Sequence, residues 1–265
     1  MPHMTGHASS EPNRALRILY VATKPAYPPR DGGRLLIWNT LTELAARGHR
    51  IAYVAPDLGA DTTIPREHLE SVCERVDLVT ASPSGVAGSA IKAFVSRTPM
   101  SILRHTHKNV QRAIVAEIED FSPDVVHAEQ IQAFFNLPEI DPGVPVLLRA
   151  QNVESRLGRL VSQQRRALAW PARDEARKMA VFEARAIRRA TRTVVLTEPD
   201  AETLGGGAGA SARRISIIRP PFPSSLPDGG RRLEGDPSIV LLTGDWLPNR
   251  DSLQWFLGEV WPEIR

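Results

Sequence analysis

Apolar residues along this chain recur in two alternating rhythms, and the alternation predicts strands followed by helices. Arg17-Ile18-Leu19-Tyr20-Val21-Ala22 is a continuous, β-rich run, the pattern of a strand buried on both faces. From residue 34 to 47 the spacing becomes helical, with Ile37, Leu41 and Leu44 on one face and Gly48 as the stop. Arg50-Ile51-Ala52-Tyr53-Val54-Ala55 is a second strand, which completes a βαβ unit with a right-handed crossover.

The alternation continues with a strand at 76–80, a helix over 108–121, and the strand Val125-Val126-His127 introduced by Pro123-Asp124. Further strands are expected at 144–149, 193–196 and 215–218. The fold class is therefore α/β: a Rossmann-like, doubly wound, mostly parallel sheet with helices on both faces. Residues 154–192 read as helical in two pieces broken at Trp170-Pro171, because proline removes a helix-interior amide. Gly205-Gly206-Gly207-Ala208-Gly209 reads as a flexible loop and not a phosphate cradle, since no Gly-Lys-Ser/Thr follows.

Proline-rich Pro220-Pro221-Phe222-Pro223 marks a change in organisation. The expected layout is a disordered tail at 1–14, a Rossmann-like domain at 15–223, a linker at 224–237, and the start of a second α/β unit at 238–265. That last piece offers one strand, 239–243, a turn, and a helix from about Asp251. One strand and one helix cannot bury a core, so the chain reads as cut short.

Composition narrows the function classes. The chain has 265 residues and is 42% hydrophobic, enough for a sizeable core, and its single cysteine, Cys73, cannot form an internal disulfide. No apolar run approaches the ~20 residues of a membrane span, and residues 1–14 lack a signal-peptide centre, so a cytoplasmic protein is expected. Net charge is only +3, yet arginines crowd residues 156–192, including Arg165-Arg166, Arg177-Lys178 and Arg188-Arg189. That face is either a solvated helix surface or a site for anionic phospholipid headgroups or phosphates, which would place the protein at the inner membrane face. Nucleic acid is disfavoured, because no aromatic interleaving or reading motif accompanies the charge.

In a doubly wound sheet, ligands bind beyond the carboxyl ends of the strands. The loop after the first strand carries Asp31-Gly32-Gly33-Arg34 at a helix start, where paired glycines let a ligand approach amides that favour negative charge. A tight turn with no ligand is the alternative. Gly-x-Gly-x-x-Gly is not completed, although Asp57 ends the second strand where a ribose-binding acid would sit, so a nicotinamide-dependent oxidoreductase stays open. His127-Ala128-Glu129 and Gln151-Asn152-Val153-Glu154 follow two other strands. Glu129 and Glu154 are the candidate catalytic carboxylates, able to orient hydroxyls or accept a proton; Glu154 can equally be a helix-starting residue and His127 a structural one. No Cys/His cluster or Asp-x-Asp pair suggests a metal.

With these residues in hand, the chain resembles family 4 glycosyltransferases of the GT-B architecture. The likeness rests on Pro28-Pro29-Arg30-Asp31-Gly32-Gly33-Arg34, Gly48-His49-Arg50-Ile51, Asp124-Val125-Val126-His127, Gln151-Asn152-Val153-Glu154, Val194-Val195-Leu196-Thr197-Glu198 and Gly244-Asp245-Trp246-Leu247-Pro248-Asn249, in that order. It implies that 15–223 is the GT-B N-terminal, acceptor-side domain, facing a nucleotide-sugar-binding domain. Transfer in the family retains anomeric configuration and needs no cofactor beyond the nucleotide sugar as co-substrate. The partners implied are a nucleotide-sugar donor and a glycan or lipid-linked acceptor. Gly32, Gly33 and Arg34, with His127, Gln151 and Asn152, would line the donor and acceptor sites, and Asp245 and Asn249 the second domain's side of the cleft. Relatives often carry histidine where this chain has Glu129, and His before Asn-x-Glu where it has Gln151. A non-catalytic glycan- or partner-binding module using the same cleft is the reading from a different class.

Overall fold

The computed structural model describes residues 14–57, 59, 63–81, 86–138, 143–164, 169–220, 239–241 and 247–264. The expected tail to residue 13, the linker at 224–237 and Asp245 lie outside the described residues. The chain divides into two compact units, Met1–Phe222 and Pro223–Arg265.

The first unit alternates strands and helices from its start. In chain order they are β1 (Arg17–Val21), α1 (Gly32–Ala46), β2 (Arg50–Asp57), α2 (Thr63–Glu70), β3 (Arg75–Thr80), α3 (Val86–Val95), α4 (Met100–His105) and α5 (Lys108–Phe121). Then come β4 (Val125–Glu129), α6 (Gln130–Phe134), β5 (Val146–Ala150), α7 (Glu154–Gln164), α8 (Ala169–Arg189), β6 (Arg192–Val195), α9 (Glu198–Ala208) and β7 (Ile215–Ile217). The strands form one seven-stranded sheet in the order β3-β2-β1-β4-β5-β6-β7, every adjacent pair parallel. This is the expected Rossmann-like, doubly wound class. The order reverses between β1 and β4, and the crevice at their carboxyl ends is the place such a sheet offers to a ligand.

Strand alternation assigns the two cores. Leu19, Val21, Val54, Val126 and Leu148 face one side, where Ile114 and Phe121 of α5 and Met179 and Ile187 of α8 cover them. Tyr20, Ile51 and Tyr53 face the other, under Ile37 and Leu41 of α1 and Leu69 of α2. Helix α1 begins at Asp31, whose carboxylate accepts the Arg34 amide at 2.9 Å. It ends at Gly48, whose φ of 82° allows its amide to turn back to Ala45.

Several expectations change. Strand β4 runs two residues further than expected and takes Glu129 into the sheet. Trp170-Pro171 do not break a helix: both lie inside α8, with Pro171 in its first turn, where its missing amide had no intrahelical acceptor. Gly205 to Ala208 are helical, in α9, and not a flexible loop. A strong start carries that helix through its glycines: Thr197 accepts the Asp200 amide, Pro199 lies in the first turn, and Leu204 is buried. Each glycine costs a helix only ~1 kcal/mol against alanine.

In the second unit, α10 (Leu247–Trp255) passes through a π-helical turn (Phe256–Val260) into α11 (Trp261–Ile264). Asn249 lies on α10 and not in the expected turn, and residues 239–241 are not in a strand.

Candidate functional site

At the carboxyl ends of β1, β4 and β5, polar side chains link the glycine loop to the sheet beneath it. Lys24, just past β1, bonds Asp31 through Nζ at 2.9 Å. Burial pushes the Asp31 carboxyl up, but the Lys24 bond and the Arg34 amide outweigh that and hold it below its ordinary range. Arg34 does not reach outward: its guanidinium returns to Asp31 and to the Pro25 carbonyl. Gly33 is a close approach. A Cβ there would stand 3.1 Å from Gln151 Oε1 and 3.2 Å from Asp31 Oδ1, with Lys24 Nζ at 3.6 Å.

Gln151 joins the loop to the strand ends. Its Oε1 accepts Gln130 Nε2 at 3.0 Å, and its Nε2 donates to Glu129 Oε1 at 2.9 Å. Thr23 in turn donates to Gln130 Oε1 at 2.8 Å. Gln130 itself, the first residue of α6, takes a left-handed φ of 71°, a conformation a non-glycine side chain adopts only when its surroundings hold it.

Below this layer lies a buried ionic cluster. Glu129 is 0% exposed. Its carboxylate accepts Arg149 Nε at 2.8–2.9 Å, Arg149 Nη2, the Tyr20 hydroxyl, and His127 Nε2 at 3.2 Å. Arg149 Nη2 also donates to Tyr20 Oη at 2.7 Å and Nη1 to Thr40 Oγ1 of α1 at 2.8 Å. Burial works to raise the Glu129 carboxyl, but Arg149 and the His127 bond override it and bring it down to about 2. Burial lowers His127, only partly offset by Glu129, so the ring is neutral and donates from Nε2. His127 also stacks on Tyr20 with ring centres 4.2 Å apart, which satisfies it as a structural histidine.

The expectation that Glu129 stands at the cleft edge is therefore corrected. It is an ionised, fully paired anion inside the sheet, with no proton to give near neutral pH and no lone pair facing solvent. Two extra strand residues put it there.

Glu154 belongs to a different cluster, at the start of α7. Burial, then the neighbouring Glu183 carboxylate, raise its carboxyl to about 7 against bonds from Gln132 and Asn152. Glu183, on α8, accepts the Ser155 amide at 3.1 Å and so caps α7 from another helix. A carboxyl titrating near 7 can take or give a proton at working pH, which Glu129 cannot. Asn152 is exposed beside it. Asp57 accepts the Gly59 amide at 2.9 Å, a local turn bond that accounts for its position.

Sequence reasoning missed Lys24, Gln130, Arg149 and Glu183. Two left a signal: Arg149 interrupts the apolar run Val146-Leu147-Leu148, and Glu183 occupies a core position of the stripe Ala176, Met179, Ala186, Ile187.

Residues 32–221 match the sequence profile of the glycosyl transferase 4-like domain. The chain belongs to this family. The family read from its motifs is thus the one it falls in. No protein of the curated set matches the chain. Among solved structures it is similar to the glycotransferase of kitacinnamycin, at 17% identity and TM-score 0.45, over 84% of this chain and 56% of that one. The UDP-GlcNAc 2-epimerase from Neisseria meningitidis gives 12% and 0.41, over 76% and 45%, and SnogD from Streptomyces nogalater 16% and 0.37, over 81% and 54%. The chain spans about half the length of these structures.

Proposed function

We propose that this glycosyl transferase 4-like chain forms the acceptor-side wall of a retaining, nucleotide-sugar-dependent glycosyltransferase of the GT-B kind. The observation that carries the reading is the convergence at Gly33: a side chain there would press on Gln151 and Asp31 and stand beside Lys24, at the sheet's switch point. An absent side chain, a helix N-terminus and an ammonium together suit a diphosphate. Gly32 and Gly33 stand beside that group, with Lys24 added to the expected set. Glu154 and Asn152, at the next strand end, orient or deprotonate an acceptor hydroxyl. Gln151 positions the loop, and Glu129 and His127 act only through it. The acceptor is a glycan or a lipid-linked precursor, and a second Rossmann-like domain holds most of the donor. The nucleotide sugar is a co-substrate, and no metal or organic cofactor is invoked.

The test is nucleotide release from a panel of UDP- and GDP-sugars by the longest product of the reading frame, with glycan and polyprenyl-phosphate acceptors. Acceptor-dependent release is expected, with retained anomeric configuration by NMR. Glu154→Gln is expected to lower kcat by about 100-fold or more with no loss of stability at the assay pH. Absence of release across the panel, or full activity in Glu154→Gln, overturns the reading. Binding of a glycan without turnover would instead support a non-catalytic module.

A further inference from the structure

Helix α8 separates its charges by position. Its inward side carries Ala176, Met179, Ala186 and Ile187 into the core. Its outward side carries Arg173, Arg177, Arg185 and Arg188, with Trp170 and Val181 among them at 66% and 63% exposure. At 3.6 residues per turn these six side chains fall within an arc of about 120°. None of the helix's exposed positions is acidic.

The acids of α8 are occupied elsewhere. Asp174, the one acid within that arc, is tied to Lys178 at 2.6 Å, Glu175 accepts the Met100 amide at 2.6 Å, and Glu183 caps α7. Asp174 is thus the one carboxylate of α8 among the stripe's cations, and it is already shared with Lys178.

The neighbouring helix is basic at its exposed positions too. The exposed positions described on α7 are Arg156, Arg159, Leu160 and Gln163, again with no acid. The two helices are held closely: a Cβ on Gly158 would lie 3.1 Å from Ala176 Cβ and 3.3 Å from the Ala172 carbonyl oxygen. The result is two closely packed helices whose exposed positions carry arginines, a tryptophan and branched aliphatics.

We infer that this outer face of α7 and α8 docks on the surface of an anionic lipid bilayer. Arginines alone would suit any polyanion. What selects a membrane is the exposed Trp170 and Val181 inside the cationic stripe, because an interfacial helix buries apolar side chains at the level of the headgroups while its cations meet lipid phosphates. A soluble phosphate offers those two side chains nothing, and an acidic glycan, which could stack on Trp170, offers nothing to Val181. The inference does not depend on the proposed transfer chemistry, since it concerns a different surface.

Vesicle co-sedimentation of the 265-residue chain tests it at physiological salt. The probes are vesicles of phosphatidylcholine alone and vesicles with one third phosphatidylglycerol. Binding to the second and little to the first is expected. The variant Arg173→Glu/Arg177→Glu/Arg185→Glu is expected to lose on the order of 100-fold in partitioning, from about five-fold for each cation at an anionic surface. Its partner Arg173→Lys/Arg177→Lys/Arg185→Lys is expected to keep binding, which separates lost charge from lost fold. Trp170→Ala is expected to weaken binding several-fold with all charges intact. Equal binding to both vesicles, unchanged binding by the glutamate variant, or no effect of Trp170→Ala would each overturn the proposal, the last by pointing to a soluble polyanion.

Discussion

Replacing Arg149 by methionine probes the buried cluster most directly, because it leaves Glu129 inside the sheet without its cation. In the wild type, Glu129 is fully buried and its carboxyl is brought from the ordinary 4.5 to about 2. A depressed carboxyl contributes stability that is present above pH 4.5 and lost as pH falls through 2. Its size follows from the shift, about 3 kcal/mol at most, in the range measured for breaking buried pairs. Arg149→Met removes the counter-charge and its bond to Thr40 of α1, so a loss of about 3–5 kcal/mol at pH 7 is expected. The sign of the pH response should also reverse. Without Arg149, burial dominates and raises the Glu129 carboxyl above its unfolded value. The variant's stability is then fullest below pH 4.5 and declines as pH rises, opposite to the wild type. Urea denaturation at pH 4.5, 6 and 7.5, followed by circular dichroism, measures both effects. Arg149→Met/Glu129→Gln removes the unpaired charge and should recover more than half of the loss. A cost under about 1 kcal/mol, or a double variant as unstable as the simple sum, would refute the claim that charge pairing holds this layer.

Glu154→Gln should be more stable than the wild type at pH 8, by up to about 3 kcal/mol, with the difference vanishing below pH 4.5: a carboxyl raised to about 7 is favoured folded only while protonated, and that stability is lost as pH rises through 7. Thermal melts of both proteins across that range check it. Gly33→Ala should change Tm little, since the atoms it meets are ends of side chains, but should displace Gln151 and depress turnover of any nucleotide sugar that proves to be a substrate. Gly158→Ala gains about 1 kcal/mol of helix propensity yet presses on the Ala172 carbonyl and Ala176, at about 1–3 kcal/mol for overpacking, so a net loss by denaturant midpoint is expected. Cys73 is buried and its thiol is pushed up to about 12, so it should resist a thiol reagent at pH 8 until the chain is unfolded.

Local pattern was enough for the sheet. Continuous apolar runs such as Ile18-Leu19-Tyr20-Val21, separated by amphipathic stretches, have one economical solution, parallel strands covered on both faces, and the helix at Lys108–Phe121 fell where its periodicity placed it. What local pattern could not show was which polar residues are inside. His127 and Glu129 read as cleft residues because strands normally end where their apolar run ends. They are buried because Arg149, twenty residues later in sequence and adjacent in register, supplies the counter-charge that lets the strand continue. Likewise the glycines at 205–207 look like a loop by propensity, and only the cap at Thr197 and the anchor at Leu204 outweigh it.

The same register explains why the glycine loop is held firmly without being apolar. Tyr53, Tyr20 and His127 are aligned across β2, β1 and β4, with Glu129 and Arg149 paired just beyond them, all beneath α1. A sheet face that carries a charge there must satisfy it completely, and doing so fixes Arg149 against Thr40 of α1 and Gln151 against Glu129. Gln151 then bonds Gln130, whose left-handed backbone is held in part by that bond and the one from Thr23. Position is thus passed from a buried ion pair to two amides at the mouth of the loop. If Glu129 orders this chain of contacts and takes no part in chemistry, Glu129→Gln should alter the loop and Glu154 should keep its titration near 7, whereas Glu183→Gln should lower that titration and leave the loop untouched. Carboxyl-carbon NMR titration of Glu154 in the two variants separates them, and a Glu154 shift in Glu129→Gln as large as that in Glu183→Gln would show the two clusters to be one.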